Sequence, residues 1–171
     1  MLTVTIKQDT DQENPREWDN FGTMVCFHNR YRLGDDHGLT LDEARELEQR
    51  DDIISLPLYL YDHSGITMKT TPFHCPWDSG KVGFIYITKK EARSMFFVKR
   101  ITQKLKNDIL DILRQEVVYY DNYLTGEVYG FEITNDKGEF INSCGGYFGD
   151  KGIEGIKTEF SDKTVYNVIE P

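Results

Sequence analysis

The chain has 171 residues, a formal net charge of −9, and aromatic side chains at 13% of its positions. A disordered acidic segment is poor in aromatic residues, so this composition predicts one folded domain over residues 1–171 with an acidic surface. The charge argues against general binding of nucleic acids, which requires a positive field over the phosphates.

Hydrophobic periodicity predicts short strands and one short helix in the first part of the chain. Residues 2–7 alternate apolar and polar side chains, as in a half-buried strand, and 22–29 form a second strand. The polar residues 8–20 between them are typical of a loop. A capping box at 40–43 opens a helix over about 41–50, with apolar side chains on one face.

The middle of the chain predicts a hairpin and a further strand. The apolar run 53–61 contains Pro57, which lacks a donor for the sheet, so this strand starts near Pro57 or lies at an edge. A turn follows, and 66–70 can pair back as the second strand. Residues 71–80 form a loop bounded by prolines, and 81–88 form the clearest strand of the chain.

The last part predicts two helices and three strands. A capping box at 88–91 starts a short helix, and a long helix covers about 102–123. Strands at 127–134 and 139–144 form a hairpin, and a glycine-rich stretch precedes a last strand at 164–170. We therefore expect an α+β fold, mainly an antiparallel sheet with one long and two or three short helices.

The N-terminal residues show no basic start followed by an apolar stretch, so no secretory signal is expected. The apolar runs are too short to cross a bilayer, and no membrane contact is predicted. The three cysteines, Cys26, Cys75 and Cys144, are widely spaced and odd in number, unlike a disulfide framework. Free thiols in a reducing cytoplasm are the simplest interpretation.

Charge is segregated along the sequence. Residues 1–62 have a net charge of −8, residues 89–106 a net charge of +6, and residues 107–171 a net charge of −8. Both signs can simply be solvated surface, or the acidic regions can imitate phosphates toward a nucleic-acid-binding protein. Under the second interpretation six acidic residues near the first helix contact the partner: Asp42, Glu43, Glu46, Glu48, Asp51 and Asp52.

The positive stretch 89–106, here called the basic segment, is a candidate contact for an anion such as RNA or DNA. Its aromatic residues are limited to Phe96 and Phe97, which is weak support for a stacking platform. Its cations are Lys89, Lys90, Arg93, Lys99, Arg100, Lys104 and Lys106.

The turn and loop around residues 59–80 carry the residue types used in catalysis and metal binding. His63, His74, Cys75 and a carboxylate could ligate a metal, but their spacing matches no metal motif, and neighbouring side chains in an extended chain diverge. Neither a metal nor a cofactor is therefore predicted. The glycines at 145–155 match no phosphate-binding pattern.

An enzymatic alternative is a small hydrolase or metal-dependent nuclease that uses His63, His74, Cys75 and Asp78. In its cysteine-dependent form Cys75 is the nucleophile and a nearby histidine the base. We expect Asp62, next to His63 in a turn, to bond the turn backbone rather than to form a triad. A binding alternative makes the same region a partner surface, since Trp and Tyr are favoured at interfaces. Its residues would be Tyr59, Tyr61, Asp62, His63, Trp77 and Asp78.

Four segments resemble a family of small acidic proteins encoded by bacteriophages and mobile elements. The resemblance is carried by 56–68 (LPLYLYDHSGITM) and 72–86 (PFHCPWDSGKVGFIY), with support from 19–35 and 124–131. It implies a product acting in a bacterial host cell, and by analogy an inhibitor of host defence, of the anti-CRISPR or anti-restriction type. The leading hypothesis is a non-enzymatic protein that binds a CRISPR effector or another nuclease.

Overall fold

A computed structural model describes residues 1–170, which contain four α-helices and eight β-strands. The expected α+β fold, with mainly antiparallel pairing and one long helix, is confirmed. The strands are β1 (Leu2–Gln8), β2 (Thr23–Cys26), β3 (Ile53–Asp62), β4 (Ile66–Lys69), β5 (Ser79–Thr88), β6 (Val128–Thr134), β7 (Phe140–Phe148) and β8 (Tyr166–Ile169). The helices are α1 (Leu41–Glu48), α2 (Lys89–Met95), α3 (Gln103–Thr125) and α4 (Gly149–Glu159).

Two compact units divide the chain. Unit 1 comprises Met1–Asn14 and Asn122–Pro171, and unit 2 comprises Pro15–Asp121. Each unit contains one four-stranded sheet. The prediction of a single domain stays a prediction, and independent folding of either unit would contradict it.

The sheet of unit 2 has the strand order β2-β5-β3-β4, and all its neighbours are antiparallel. Pro57 pairs only with Phe84 of β5, because the pairing of β3 with β4 begins at Tyr59. The expectation of an edge position at Pro57 is thus right for this half of β3, although the strand starts earlier, at Ile53.

Helix α1 packs one side chain of its apolar face into unit 2. Ala44 is buried against Val25 and Phe84, with Leu47 at the margin of the cluster. Leu41 was expected on the same face, but it is exposed. Both capping boxes are present as predicted, at Thr40 for α1 and at Thr88 for α2.

The long helix α3 is fixed in unit 2 by side chains of its buried face. The Tyr120 hydroxyl accepts a hydrogen bond from the Gly34 backbone N–H at 3.0 Å. Asp121 accepts hydrogen bonds from the Met68 N–H at 2.7 Å and from the Thr67 hydroxyl at 2.8 Å. The predicted helical periodicity is confirmed by four buried residues, Ile109, Leu113, Val117 and Tyr120.

In unit 1 the strand order is β7-β6-β1-β8, in which β1 and β8 are parallel and the other pairs antiparallel. Ile156 and Phe160, from α4 and its C-terminal end, bury their side chains against Val4, Ile6 and Phe131 of this sheet. The sequence pattern does not predict α4, because the glycines within it lower helix propensity. The signal that could have found it is the spacing of Ile153, Ile156 and Phe160.

Candidate binding surfaces

The loop 71–80 borders a groove in unit 2 with a volume of about 390 Å³. Asp62 at the end of β3 and Asp78 before β5 both line it, and the Asp62 N–H donates a hydrogen bond to the Asp78 carbonyl at 2.8 Å. Trp77 lies beside them and is 91% exposed. A large ring in water at the border of a polar groove is the kind of side chain that anchors a binding partner.

The Asp62 side chain is hydrogen-bonded by residues that lie outside its own turn. Its carboxylate accepts a hydrogen bond from the Arg30 guanidinium and a long one, 3.4 Å, from the Tyr31 hydroxyl. The expectation that Asp62 bonds the turn backbone is therefore wrong, because an arginine from the segment after β2 supplies charged donors. Nothing in the local pattern of the turn indicates this pairing, since Arg30 lies 32 positions earlier in the chain.

Asp78 brings together two of the predicted catalytic candidates. One of its oxygens, Oδ2, lies 3.3 Å from His63 Nδ1 and accepts a hydrogen bond from the Cys75 thiol at 3.6 Å. A catalytic triad places the imidazole between nucleophile and carboxylate, whereas here the carboxylate lies between the thiol and the imidazole. The arrangement orders the loop, and the Ser79 hydroxyl adds a hydrogen bond to the Cys75 carbonyl at 2.5 Å.

His74 is exposed and takes no part in this cluster. Within residues 1–170, no group of three or more His, Cys, Asp or Glu side chains is arranged to hold a metal ion. The three cysteines form no disulfide: Cys26 is buried, Cys75 is partly buried and Cys144 is exposed.

The aromatic residues near the groove form a stack along the sheet. The ring of Tyr61 stacks on His63 at 6.1 Å and on Phe73 at 5.6 Å between ring centres. The Lys69 ammonium lies 4.1 Å from the centre of the Phe73 ring, a cation–π contact. Tyr59, two residues before Tyr61 on β3, is half-buried. Among the predicted aromatic contacts, Trp77 is thus the one presented fully to solvent.

Most of the predicted acidic contacts near α1 already have partners in unit 2. Asp42 pairs with Arg45 at 3.1 Å, Glu48 with Lys81 at 2.6 Å, and Asp52 with Arg50 at 2.5 Å. Glu43 accepts the capping-box hydrogen bonds of Thr40, which lower the pKa of its carboxyl group. Glu46 and Asp51 are exposed, and their carboxylates form no ion pair within residues 1–170.

Unit 1 carries most of the unbalanced negative charge. It holds 12 Asp or Glu and 5 Lys or Arg, whereas unit 2 holds 17 and 15. Its ion pairs within the described residues are Lys7–Glu132 and Lys157–Glu170, both at 2.7 Å. The remaining ten carboxylates of unit 1 therefore have no cationic partner in the part of the chain described. The larger net negative charge therefore belongs to unit 1 rather than to unit 2, which contains α1.

Most cations of the basic segment are exposed, Lys89 and Arg93 being half-buried. Lys89 donates a hydrogen bond to the Asp51 backbone carbonyl at 2.5 Å, and within residues 1–170 none of the seven cations forms an ion pair. At its centre Phe97 is 96% exposed, and Met95 is also exposed.

Comparison with known proteins adds no relative: no protein-family model, curated protein or solved structure matches this chain. Among residues 1–170, no helix combines the length and the hydropathy needed to cross a membrane.

Proposed function

We propose that this chain is a non-enzymatic inhibitor, encoded by a bacteriophage or mobile element, that binds a nuclease of host defence such as a CRISPR effector. The unbalanced charge of unit 1 is the observation that supports this proposal most. Twelve carboxylates against five cations in a small folded unit produce the negative field that a nucleic-acid-binding groove accepts. The resemblance of 56–68 and 72–86 to acidic mobile-element proteins implies a mobile-element origin, and a partner in host defence follows from that origin by analogy.

The exposed ring of Trp77 can supply binding affinity that charge alone does not provide. Charged contacts at the rim of an interface accelerate association, whereas desolvated aromatic anchors carry much of the affinity. Trp77 is exposed and borders a polar groove, so its burial in a complex adds contact area without disturbing unit 2. In this proposal the charge of unit 1 supplies long-range attraction to the partner, and Trp77 supplies a contact made by unit 2 alone.

The test is cleavage of duplex target DNA by purified, guide-loaded CRISPR effectors in the presence of the chain. We expect an excess of the chain to block cleavage at about 50 mM salt and to lose potency at about 300 mM, because salt screens charges beyond a few ångströms. Absence of inhibition of every effector at low salt would sink the proposal, as would inhibition that salt leaves unchanged.

Two sets of variants with equal charge change locate the contact. Asp136→Asn, Asp150→Asn and Glu154→Gln remove three exposed, unpaired charges from unit 1. Asp42→Asn, Glu46→Gln and Asp51→Asn remove three exposed charges from the vicinity of α1, of which Glu46 and Asp51 are unpaired within the described residues and Asp42 is paired with Arg45. We expect the first set to weaken inhibition and the second to leave it nearly intact. The reverse result would assign the contact to α1 and its exit, as the sequence predicted.

A third variant tests the anchor. Trp77→Ala should leave the thermal stability unchanged, because the ring is in water, and should weaken binding by about tenfold or more. Tyr61→Ala is a poor control, since its ring packs on Phe73, so Trp18→Ala, an exposed tryptophan elsewhere in unit 2, serves instead. Equal loss in both tryptophan variants would contradict a specific role for Trp77.

A further inference from the structure

The junction between α2 and α3 lies within the basic segment and exposes an aromatic ring. The cations near it in sequence form no ion pairs in the described chain. Phe97 is 96% exposed, and its ring stacks on no other ring within residues 1–170. Six cations surround it in sequence without an ion pair in the described chain: Lys90, Arg93, Lys99, Arg100, Lys104 and Lys106.

The backbone at Phe97 adopts a conformation that favours glycine. Its φ is +53°, and the Val98 and Phe97 N–H groups donate to the carbonyls of Arg93 and Ser94 at 3.0 and 3.2 Å. These two hydrogen bonds form a Schellman motif, in which the left-handed position is usually glycine. A phenylalanine there costs folding free energy through its β-carbon, and its exposed ring returns no packing.

The residues at the start of α3 are a second feature that is unfavourable for folding. Its first turn contains no acidic residue, and lysines occupy positions 104 and 106. Positive side chains at a helix N-terminus oppose the helix dipole, where carboxylates would stabilise it. The Thr102 hydroxyl caps the helix by accepting from the Leu105 N–H at 3.2 Å, so the lysines are not needed for capping. Residues that reduce the stability of the fold, such as Phe97 and these lysines, are typically found where the surface has a function.

We propose that the basic segment binds single-stranded nucleic acid, with its cations against the phosphates and the Phe97 ring stacked on a base. A fully exposed planar ring suits the flat face that every base offers. Membrane insertion fits less well, because Met95 and Phe97 are the large apolar side chains exposed here and a bilayer contact needs a broad apolar face. This inference is independent of the inhibitor proposal, since it concerns different residues and a different ligand.

The experiment is fluorescence anisotropy with labelled single strands of DNA and of RNA, each of about 20 nucleotides, enough for one site. We expect binding at about 50 mM salt that weakens steeply toward about 200 mM, because bound cations release counterions. No binding of either strand at the lower concentration would overturn the proposal. The proposal would also be overturned if the chain bound vesicles of phosphatidylserine, or polyglutamate, but neither DNA nor RNA strand.

Phe97→Gly separates the structural role of this residue from its binding role. Glycine relieves the left-handed backbone, so the melting temperature should stay equal or rise. Loss of stacking should weaken binding by about tenfold, while Phe97→Trp should preserve it. Unchanged affinity in Phe97→Gly would refute the stacking contact.

Charge variants test the phosphate contacts. Lys99→Gln with Arg100→Gln should reduce the slope of log affinity against log salt by about 1.4, or about 0.7 for each phosphate contact. The control is Lys137→Gln with Lys151→Gln, which makes the same charge change at exposed positions of unit 1. A control that loses as much affinity as the test pair would show a general charge effect and contradict a site in the basic segment.

Discussion

Arg16 is the buried charge around which part of unit 2 is organised. The residue is 8% exposed, and its guanidinium bonds Asp35 at 2.7 and 2.8 Å, Glu116 at 3.2 Å and the Gly22 carbonyl at 2.7 Å. Burial opposes the charge of Arg16, but the two carboxylates outweigh it and raise its pKa. Because Glu116 belongs to α3 and Asp35 follows β2, one side chain connects a helix to the sheet.

Replacing Arg16 tests that role. Arg16→Met should lower the free energy of unfolding by about 3 kcal/mol, because it leaves two partly buried carboxylates without their cation. Arg16→Lys should fall between the wild type and Arg16→Met, since an ammonium restores the charge but not the forked geometry. Urea denaturation followed by circular dichroism measures both. A loss below about 1 kcal/mol in Arg16→Met would contradict an organising role.

We expect Asp121 to make the stability of the folded chain depend on pH. Burial raises the pKa of its carboxyl group despite the hydrogen bonds from Met68 and Thr67. A raised pKa in the folded state means that protonated Asp121 favours folding and that this contribution is lost as pH rises through the folded pKa. Asp121→Asn, which cannot ionise, should therefore gain stability relative to the wild type as pH rises from about 3 to about 7.

The measurement for Asp121 is the difference in melting temperature between variant and wild type across that pH range. Asp108→Asn, an exposed position on the same helix, is the control and should show no such trend. A difference for Asp121→Asn that is flat with pH, or that falls as pH rises, would contradict the role of burial.

At the scale of elements, patterns of neighbouring residues predicted most of the fold. Capping boxes placed the starts of α1 and α2, and helical periodicity placed α3, because these signals act within a few residues. The exception is α4, whose formation depends on burying Ile156 and Phe160 against a sheet built from distant strands. The side-chain contacts of the candidate site were less predictable for the same reason: Asp62 meets Arg30, far along the chain.

The glycines of α4 provide a matched pair of substitutions. A β-carbon at Gly155 meets nothing within 4 Å, whereas at Gly152 it would lie 2.6 Å from the backbone carbon of Tyr147. Gly155→Ala should stabilise the protein by about 0.5–1 kcal/mol through better helix propensity. Gly152→Ala should destabilise it, because the clash is with backbone. Chemical denaturation measures both, and equal effects of the same sign would show that α4 does not form as described.

At the scale of the whole molecule, the net charge of −9 is unevenly shared. Unit 1 has a formal charge of −7 and unit 2 a formal charge of −2, although unit 2 holds both the predicted acidic contacts and the basic segment. Counting along the sequence could not reveal this, because unit 1 combines the two ends of the chain. Pairing of Asp42, Glu48 and Asp52 with local cations further reduces the field near α1.

We propose that the chain occupies the nucleic-acid groove of a defence nuclease. The most direct test is competition between the chain and duplex target DNA for a purified, guide-loaded CRISPR effector that the chain inhibits. We predict that the apparent dissociation constant of the chain rises in proportion to the DNA concentration, because both ligands need the same basic surface. A ternary complex of effector, DNA and chain, with unchanged affinity of the effector for the chain, would contradict the claim.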